Sequence, residues 1–235
     1  MAADIAAAIG IVGALNLETE MFADCREYGA ACLVETSGPG VPAAAAGAER
    51  ALARGAGCLI SWGTAGGLAH VEPGEIVLPD YVADPRNRVL TTDEVLTGRL
   101  ACVFEGIARI HRGILASVAA PVTSVAGKRA LAESSGAIAV DMESSAIGDV
   151  AARAGVPLIV VRVIVDRNDR AVPAAATAGM DGPRTRPARV LGGLLKSPLD
   201  TASVIALGLA ARRARRTLLA CAPRMIAALS ADRLN

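Results

Sequence analysis

The sequence has few aromatic residues and almost no net charge. One tryptophan, two tyrosines and two phenylalanines occur among 235 residues, and the net charge is +1. Binding of nucleic acid draws on a positive field and on aromatic platforms for bases, so we expect no nucleic-acid partner. Hydrophobic residues make up 53% of the chain. Because many of them are alanines, the sequence has ample material for a core and predicts closely packed helices and sheet.

The cysteines form no metal-binding pattern. Five are present, and none belongs to a Cys-x-x-Cys pair, which is typical of thiols in a reducing compartment and argues against structural zinc. Uncharged apolar runs of the roughly 18 residues that a membrane-spanning helix needs are also missing. The N-terminal residues lack the basic segment of a secretory signal. We therefore expect a cytoplasmic protein without a metal site.

Strand-like and helix-like runs alternate, which favours a three-layer α/β fold in one domain of residues 1–235. A helical C-terminal extension is predicted from about residue 187. Gly155 stands in the position of a helix stop. We predict irregular structure over residues 81–98 and a mobile loop over residues 167–186. The predicted strands are 5–15, 33–36, 58–62, 75–78, 113–118 and 156–165, and the predicted helices include 43–54, 142–154 and 202–211.

Two apolar runs end in acidic residues. The first runs from Ala137 to Val140 and ends in Asp141 and Glu143; the second is interrupted only by Arg162 and ends in Asp166. Ligands of open α/β sheets bind outside the carboxyl ends of strands, so these acids predict a site. Taken alone, the first pair is explained equally well as carboxylates that cap a helix. Asp166 alone is equally consistent with a surface ion pair.

Other motifs are ambiguous when read singly. The glycine-rich segment 63–67 follows a buried strand, and its amides suit an anion or a ribose oxygen. Glu18 and Glu20 both follow the first strand, and either is a candidate base. The two histidines, at 70 and 111, lie near no nucleophile motif and are predicted to be structural or exposed. The arginines at 212–216 fit a solvated helix face or contact with anionic lipid.

The ordered set of motifs is more specific than any one of them. It comprises GIVGALNLE at 10–18, TSGPG at 36–40, WGTAGGL at 62–68, PGEIVLPD at 73–80, AIAVDMESSAI at 137–147 and VVRVIVD at 160–166. Together they resemble the nucleoside phosphorylase and nucleosidase family, above all its methylthioadenosine/S-adenosylhomocysteine nucleosidase branch, over residues 5–170. The segment KSPLDTASVIALGLAARRARRTLLA at 196–220 is similar to hopanoid-associated phosphorylases, which act on adenosylhopane.

The resemblance implies a mixed central sheet flanked by helices and cleavage of the N-glycosidic bond of a purine nucleoside. It implies Asp166 as the catalytic acid at purine N7 and Glu18 as the residue that orients attacking water. Glu143 would bind the ribose hydroxyls and Met142 would pack against the sugar. The further substrate-binding candidates are Thr64, Ala65, Gly66, Ser37, Gly38 and Val122.

The resemblance leaves the nucleophile open. No metal or organic cofactor is expected, but inorganic phosphate is a candidate co-substrate, for which Ser37, Gly38 and Thr64 are donors and Arg26 is a cationic candidate. The family's base-stacking aromatic has no counterpart in Ala120-Pro121-Val122. A polar residue often precedes the family's acid, and Val165 occupies that position here.

The substrate is predicted to be a small-molecule or lipid-linked purine nucleoside, with release of adenine from adenosylhopane as the first hypothesis. Ordinary methylthioadenosine or S-adenosylhomocysteine salvage is the alternative within the family. A non-catalytic nucleoside- or lipid-binding module is the alternative of another class. The resemblance also implies a homo-oligomer, and the C-terminal helix predicts peripheral membrane contact.

Overall fold

The computed structural model describes residues 8–23, 32–86, 88–173 and 201–230. Its strands are β1 (Ala8–Gly13), β2 (Cys32–Thr36), β3 (Ala56–Gly67), β4 (Ile76–Val77), β5 (Tyr81–Ala83), β6 (Val89–Thr91), β7 (Ile110–His111), β8 (Ile114–Ser117), β9 (Ala139–Asp141) and β10 (Leu158–Asp166). Its helices are α1 (Asn16–Thr19), α2 (Val41–Ala53), α3 (Glu94–Phe104), α4 (Val125–Ser135), α5 (Ser144–Ala154) and α6 (Thr201–Ser230), with a 3₁₀ turn at Glu20–Phe22.

Within these residues the strands form one mixed sheet. β1 lies between β2 and β3, and β3 also pairs with β10, all in parallel. The C-terminal end of β3 pairs antiparallel with β9, and β10 pairs antiparallel with β4. Glycine permits the close approach of β1 and β3, because a Cβ at Gly10 would lie 2.9 Å from the Cβ of Ala56.

Helices cover both faces of the sheet. Along β10, Ile159 and Val161 pack in a cluster with α3 and α6, whereas Val160 and Ile164 pack with α2 and α5. Successive strand residues point to opposite faces, so one apolar run supplies two cores. Fully buried alanines on α2 allow its close packing, as the composition predicts. The predicted three-layer α/β/α fold with a mixed central sheet is confirmed.

Some local predictions hold and others are wrong. α5 ends at Gly155, which has a φ of 65°, as expected of a left-handed helix stop. The segment 63–67 does not follow the predicted strand but continues it as the second half of β3, since it pairs with β9 and β10. Residues 81–98 are not irregular: they form β5, β6 and the start of α3, which Asp93 caps by accepting from the amide of Leu96.

The predicted loop 167–186 is described only as far as Pro173, and the predicted start of the extension near 187 lies outside the described residues. α6 begins at Thr201 and packs on α3 and β10, so this part of the C-terminal segment belongs to the core. In the described ranges, no helix combines the length and the apolar character that crossing a bilayer requires.

Candidate active site

Three acidic residues from separate strand ends surround the glycine-rich half of β3. Glu18 lies on α1 directly after β1, Asp166 is the last residue of β10, and Glu143 follows β9. In register, Asp166 pairs with Gly66, and Gly66 pairs with Val140 of β9. Because β9 is antiparallel to β3, the residues after Val140 turn back toward Gly63. The sheet therefore brings the three predicted acids to one region.

Glu18 is held by four hydrogen bonds. Its Oε1 accepts from the amide and the hydroxyl of Thr64, both at 2.9 Å. Its Oε2 accepts from the amides of Ala14 at 3.2 Å and Leu15 at 3.1 Å. The residue is buried, and its main-chain carbonyl accepts from the indole of Trp62. A carboxylate with this many donors has a fixed orientation. Glu20, the other candidate base, forms an exposed ion pair with Arg215.

Glu143 is a buried carboxyl group with a raised pKa. Its Oε1 accepts from the amide of Gly40 at 3.0 Å, and its Oε2 lies 3.8 Å from Arg162 Nη2. Burial and the neighbouring Asp141 raise the pKa of Glu143 to about 7, against the opposing effect of Arg162. Met142, predicted to pack against the sugar, is partly buried beside it.

Asp141 and Arg162 form a buried ion pair next to Glu143. Arg162 Nη2 lies 2.6 Å from Asp141 Oδ2 and 2.7 Å from Ser61 Oγ, and the side chain is 1% exposed. Burial lowers the pKa of the Arg162 guanidinium, but Asp141, Glu143 and Glu18 raise it, and the net shift is upward. Asp141 accepts from the amide of Ser144 at 3.1 Å, which fits the cap of α5.

Arg162 is a site residue to which the sequence reasoning gave no role. The available signal is its position as the lone charge in the apolar run of β10. Its close approach to β3 depends on Gly63, where a Cβ would lie 2.6 Å from Arg162 Nη1 and 2.7 Å from Glu18 Oε1. Gly63 therefore allows the charged groups of β10 and α1 to meet.

Asp166 lies on the other side of the glycine segment and has a different environment. Its side chain is 14% exposed and forms an ion pair with Lys128 of α4, which is 1% exposed. Burial raises the pKa of Asp166, and Lys128 opposes that rise. The surface ion pair with Arg167 or Arg170 that the sequence left open does not form, because Arg167 binds Glu72 and Asp169 instead.

The remaining predicted residues divide into two groups. Thr64, Ala65 and Gly66 lie in β3 between the acids. Val122 packs against a small apolar cluster elsewhere in the fold. The amide of Val172 donates to the carbonyl of Thr123 at 2.8 Å, which joins the loop after β10 to the segment carrying Val122.

The donors predicted for phosphate have partners within the protein. Ser37 Oγ donates to the carbonyl of Gly38 at 2.8 Å, and the amide of Gly38 donates to Ala14 at 3.1 Å. Both donors of Thr64 bind Glu18. Arg26 lies outside the described residues.

One of the two histidines makes a structural contact. His111 Nε2 lies 2.7 Å from Glu75 Oε2 and thereby joins β7 to the start of β4, a structural contact. The parts of the chain that the structure describes contain no group of three His, Cys, Asp or Glu side chains suited to a metal ion.

A cavity of about 390 Å³ adjoins Asp166. It lies between the end of β10, the loop that follows and the first turns of α6. Most of its lining is apolar or small, and Asp166 contributes a carboxyl group to it. The lining residues are Pro73, Val165, Asp166, Arg167, Arg170, Ala171, Val172, Pro173, Ser203, Ala206, Leu207 and Ala210.

Comparison with known proteins agrees with this architecture. The chain's fold is similar to that of 5'-methylthioadenosine/S-adenosylhomocysteine nucleosidase from Neisseria meningitidis in complex with methylthio-immucillin-A, with 17% identity and a TM-score of 0.69. That match covers 94% of this chain and 98% of the other. Futalosine hydrolase of Helicobacter pylori is 22% identical with a TM-score of 0.63, over 82% of this chain and 97% of the other. These identities establish the fold alone.

No curated protein matches the sequence significantly. The family model described as Phosphorylase superfamily matches residues 8–189, which is more than half of the chain. The chain therefore belongs to the Phosphorylase superfamily, and the prediction of an enzyme of the nucleoside phosphorylase and nucleosidase type is confirmed.

Proposed function

We propose that the protein hydrolyses the N-glycosidic bond of a purine nucleoside and that its substrate is adenosylhopane, from which it releases adenine. The observation that carries the proposal is that the strand ends bearing Glu18, Glu143 and Asp166 converge on the glycine-rich half of β3. A site of this kind needs a group that binds the sugar, a group that protonates the base and a group that orients the nucleophile. The three carboxyl groups differ in environment in ways that suit these roles.

Glu143 is suited to the ribose hydroxyls. An ionised carboxylate accepts hydrogen bonds from hydroxyl groups, and these bonds strengthen as positive charge develops on the sugar. Because the pKa of Glu143 is about 7, the carboxyl is poised to ionise near neutral pH. The amide of Gly40 holds one of its oxygens, which fixes the direction in which it faces the sugar.

Asp166 is suited to protonate the base at N7. A purine is a poor leaving group as an anion, and a proton on its ring makes the departing base neutral. Burial raises the pKa of Asp166, which favours the protonated form that this role requires.

Water is the nucleophile that the local bonding supports. A phosphate would need several free donors, but those of Ser37, Gly38 and Thr64 bind protein acceptors. Glu18 lies beside Gly63, but its acceptor sites are taken by four protein donors, so we infer that a nucleophilic water replaces one of these donors when it binds.

The substrate proposal rests on two features. The segment at 196–220 is similar to hopanoid-associated phosphorylases, and its described part forms α6. The cavity beside Asp166 is lined largely by small and apolar side chains of that helix and of the loop after β10. An apolar cavity of this kind suits a nucleoside that carries a hydrocarbon group.

A stripe along α6 supports a location at the membrane surface. Ile205, Leu209 and Leu219 are 58%, 53% and 39% exposed, and Arg212 and Arg216 lie between them on the same face. Residues 201–230 include no acidic side chain. Apolar and cationic groups on one helix face favour contact with anionic lipid, where a lipid-linked nucleoside resides.

Adenine release measured by chromatography tests substrate and nucleophile together. We expect release from adenosylhopane in mixed micelles, with no requirement for inorganic phosphate and with slower release from methylthioadenosine. Preference for methylthioadenosine would establish ordinary salvage instead, and dependence on phosphate would overturn hydrolysis. Absence of release from both would favour a binding module.

Substitution of the proposed acid tests the chemistry. We expect Asp166→Asn to lower kcat by about 10²-fold or more, because general acid catalysis is typically worth that much. The matched control is Asp169→Asn, since Asp169 lies three residues beyond Asp166, in the loop after β10, and pairs with Arg167 at the surface. Turnover within about threefold of wild type for Asp166→Asn would show that the assigned role is wrong.

A further inference from the structure

Lys128 is unusual in both its identity and its position. Of the 24 basic residues in the sequence only two are lysines, at 128 and 196, and the other 22 are arginines. Helix α4 carries both a lysine and an arginine. Lys128 is buried, whereas its neighbour Arg129 is exposed. Burial of an ammonium group is costly unless every donor finds an acceptor.

All three donors of the Lys128 ammonium have acceptors. Nζ binds Asp166 Oδ2, the carbonyl of Arg167 at 2.6 Å and the carbonyl of Arg170 at 3.0 Å. A compact ammonium can serve three acceptors that converge on one point, whereas the planar fork of arginine presents its donors in fixed directions. One side chain therefore joins α4 to the end of β10 and to two carbonyls of the next loop.

This arrangement leaves one oxygen of Asp166 available. Oδ2 binds Lys128, and among the described residues no donor binds Oδ1. A Cβ on Gly66 would lie 3.1 Å from Oδ1 and 3.5 Å from Oδ2, so the carboxyl group faces the glycine-rich half of β3 and Oδ1 is its nearer oxygen. That is the region where Glu18 and Glu143 also lie.

We propose that Lys128 is the positioning residue of Asp166: it holds Oδ2 and the loop after β10 in place, so that Oδ1 faces the purine base. The inference rests on the proposed function, since it assigns Asp166 the role of acid. Lys128 does not touch the substrate and acts through Asp166. The positive charge of Lys128 also lowers the pKa of Asp166 and so favours release of its proton.

The groups around Asp166 make Lys128 its dominant charged neighbour. β3 contributes Gly66, and α6 contributes uncharged side chains to the adjoining cavity. The loop contributes Arg167 and Arg170, whose carbonyls bind Lys128, and the guanidinium of Arg167 binds Glu72 and Asp169. Burial raises the pKa of Asp166 and Lys128 lowers it. Removal of Lys128 therefore leaves the effect of burial unopposed, and the pKa of Asp166 should rise.

The pH profile distinguishes this role from a purely structural one. Asp166 acts as an acid only when protonated, so turnover falls as the pH rises through its pKa. We expect Lys128→Met to move this alkaline limb upward by about one pH unit, the smaller end of what a neighbouring charge does. We also expect a lower kcat, because Oδ2 loses its anchor. Lys128→Arg keeps the charge and should leave the limb near its wild-type pH.

Arg129→Met provides the matched control, since it removes one positive charge from the next, exposed position of α4. It should leave the profile unchanged. In an Asp166→Asn background, Lys128→Met should have little further effect on kcat, because the two residues act as a unit. An alkaline limb that stays in place or moves downward in Lys128→Met would overturn the proposal.

Nuclear magnetic resonance provides a readout that needs no substrate. With only two lysines in the chain, the side-chain ¹⁵N signal of Lys128 is assigned by its loss in Lys128→Met and should shift in Asp166→Asn. The ¹³C carboxyl signal of Asp166, assigned by its loss in Asp166→Asn, should titrate at higher pH in Lys128→Met than in wild type. An unchanged titration would overturn the proposal even if no nucleoside is cleaved.

The two proposals fail differently. Wild-type turnover in Asp166→Asn would refute the role of Asp166, while the carboxyl titration would still report on the contact with Lys128. Loss of turnover in Asp166→Asn together with an unchanged profile in Lys128→Met would refute the role of Lys128 alone. If Lys128→Met does not fold, Lys128→Arg still tests the positioning role: kcat equal to wild type would show that the three-acceptor geometry is unimportant.

Discussion

The two sides of the candidate active site hold their carboxyl groups in opposite ways. On one side, Glu18 accepts four hydrogen bonds, and Asp141 pairs with Arg162 at 1% exposure of both side chains. On the other side, Asp166 keeps 14% exposure and borders an apolar cavity, and Lys128 is its hydrogen-bond partner among the described residues. The first side is a buried network in which Arg162 Nε has no hydrogen-bond partner among the described residues, whereas the second is an ion pair at the edge of a cavity.

This difference matches what each side would do. A group that orients water must keep its position, and the four hydrogen bonds to the buried carboxylate of Glu18 hold it in place. A group that gives up a proton must change its charge during the reaction, and it can do so only if few bonds depend on that charge. We therefore expect substitutions on the first side to affect folding and turnover, and substitutions on the second side to affect mainly turnover and its pH dependence.

The largest expected effect is that of Arg162→Met. Removal of the guanidinium leaves Asp141 buried without its cationic partner, which typically costs about 3–5 kcal/mol of the free energy of unfolding. Denaturant unfolding measures it. The matched control is Arg153→Met on α5, whose surface pair with Glu49 should be worth at most about 1 kcal/mol. Equal losses in the two variants would show that the buried ion pair contributes no more to stability than the surface pair.

Gly63→Ala tests the same side by steric means. The added Cβ would lie 2.6 Å from Arg162 Nη1 and 2.7 Å from Glu18 Oε1, so one of the two charged groups must move. Gly63 also has a φ of 152°, which residues with a side chain rarely adopt, so backbone strain adds to the loss. We expect destabilisation of about 1–3 kcal/mol, the usual range for overpacking, and lower turnover.

Gly98→Ala is the control, because a Cβ at this helical position meets no atom within 4 Å. It should stabilise the protein by about 0.5–1 kcal/mol, since alanine favours the helix over glycine. A neutral effect of Gly63→Ala would show that Arg162 and Glu18 do not depend on this glycine.

The smallest change concerns the acid limb of the pH profile. Glu143 must be ionised to accept from the ribose hydroxyls, and its pKa is about 7. Turnover should therefore fall as the pH decreases through about 7 in wild type, whereas the residual turnover of Glu143→Gln should lack this limb. Steady-state rates between pH 5 and 9 measure it. A limb that persists in Glu143→Gln would assign this titration to another group.

The elements with strong local signals were predictable. The apolar run at 156–165 and the glycine at 155 identified β10 and the end of α5. The acids at strand ends indicated Glu143 and Asp166 as candidates, and the ordered motifs assigned them proposed roles. Residues 81–98 were not predictable in the same way, because β5 and β6 are short and obtain their stability from pairing with each other and with β8. The strand character of Gly63–Gly67 was hidden for a related reason: glycine carries no strand preference, and the pairing with β9 and β10 decides its conformation.

The sequence by itself determined the fold class, the family and the three carboxyl groups of the candidate site, since each depends on local patterns or on ordered motifs. The tertiary structure decided which charges meet. Arg162 binds Ser61, 101 residues away, and Lys128 binds Asp166, 38 residues away. The antiparallel course of β9 turns Glu143 toward Arg162. Contacts between distant residues depend on which strands become neighbours in the sheet, and that pairing exists only in the folded protein.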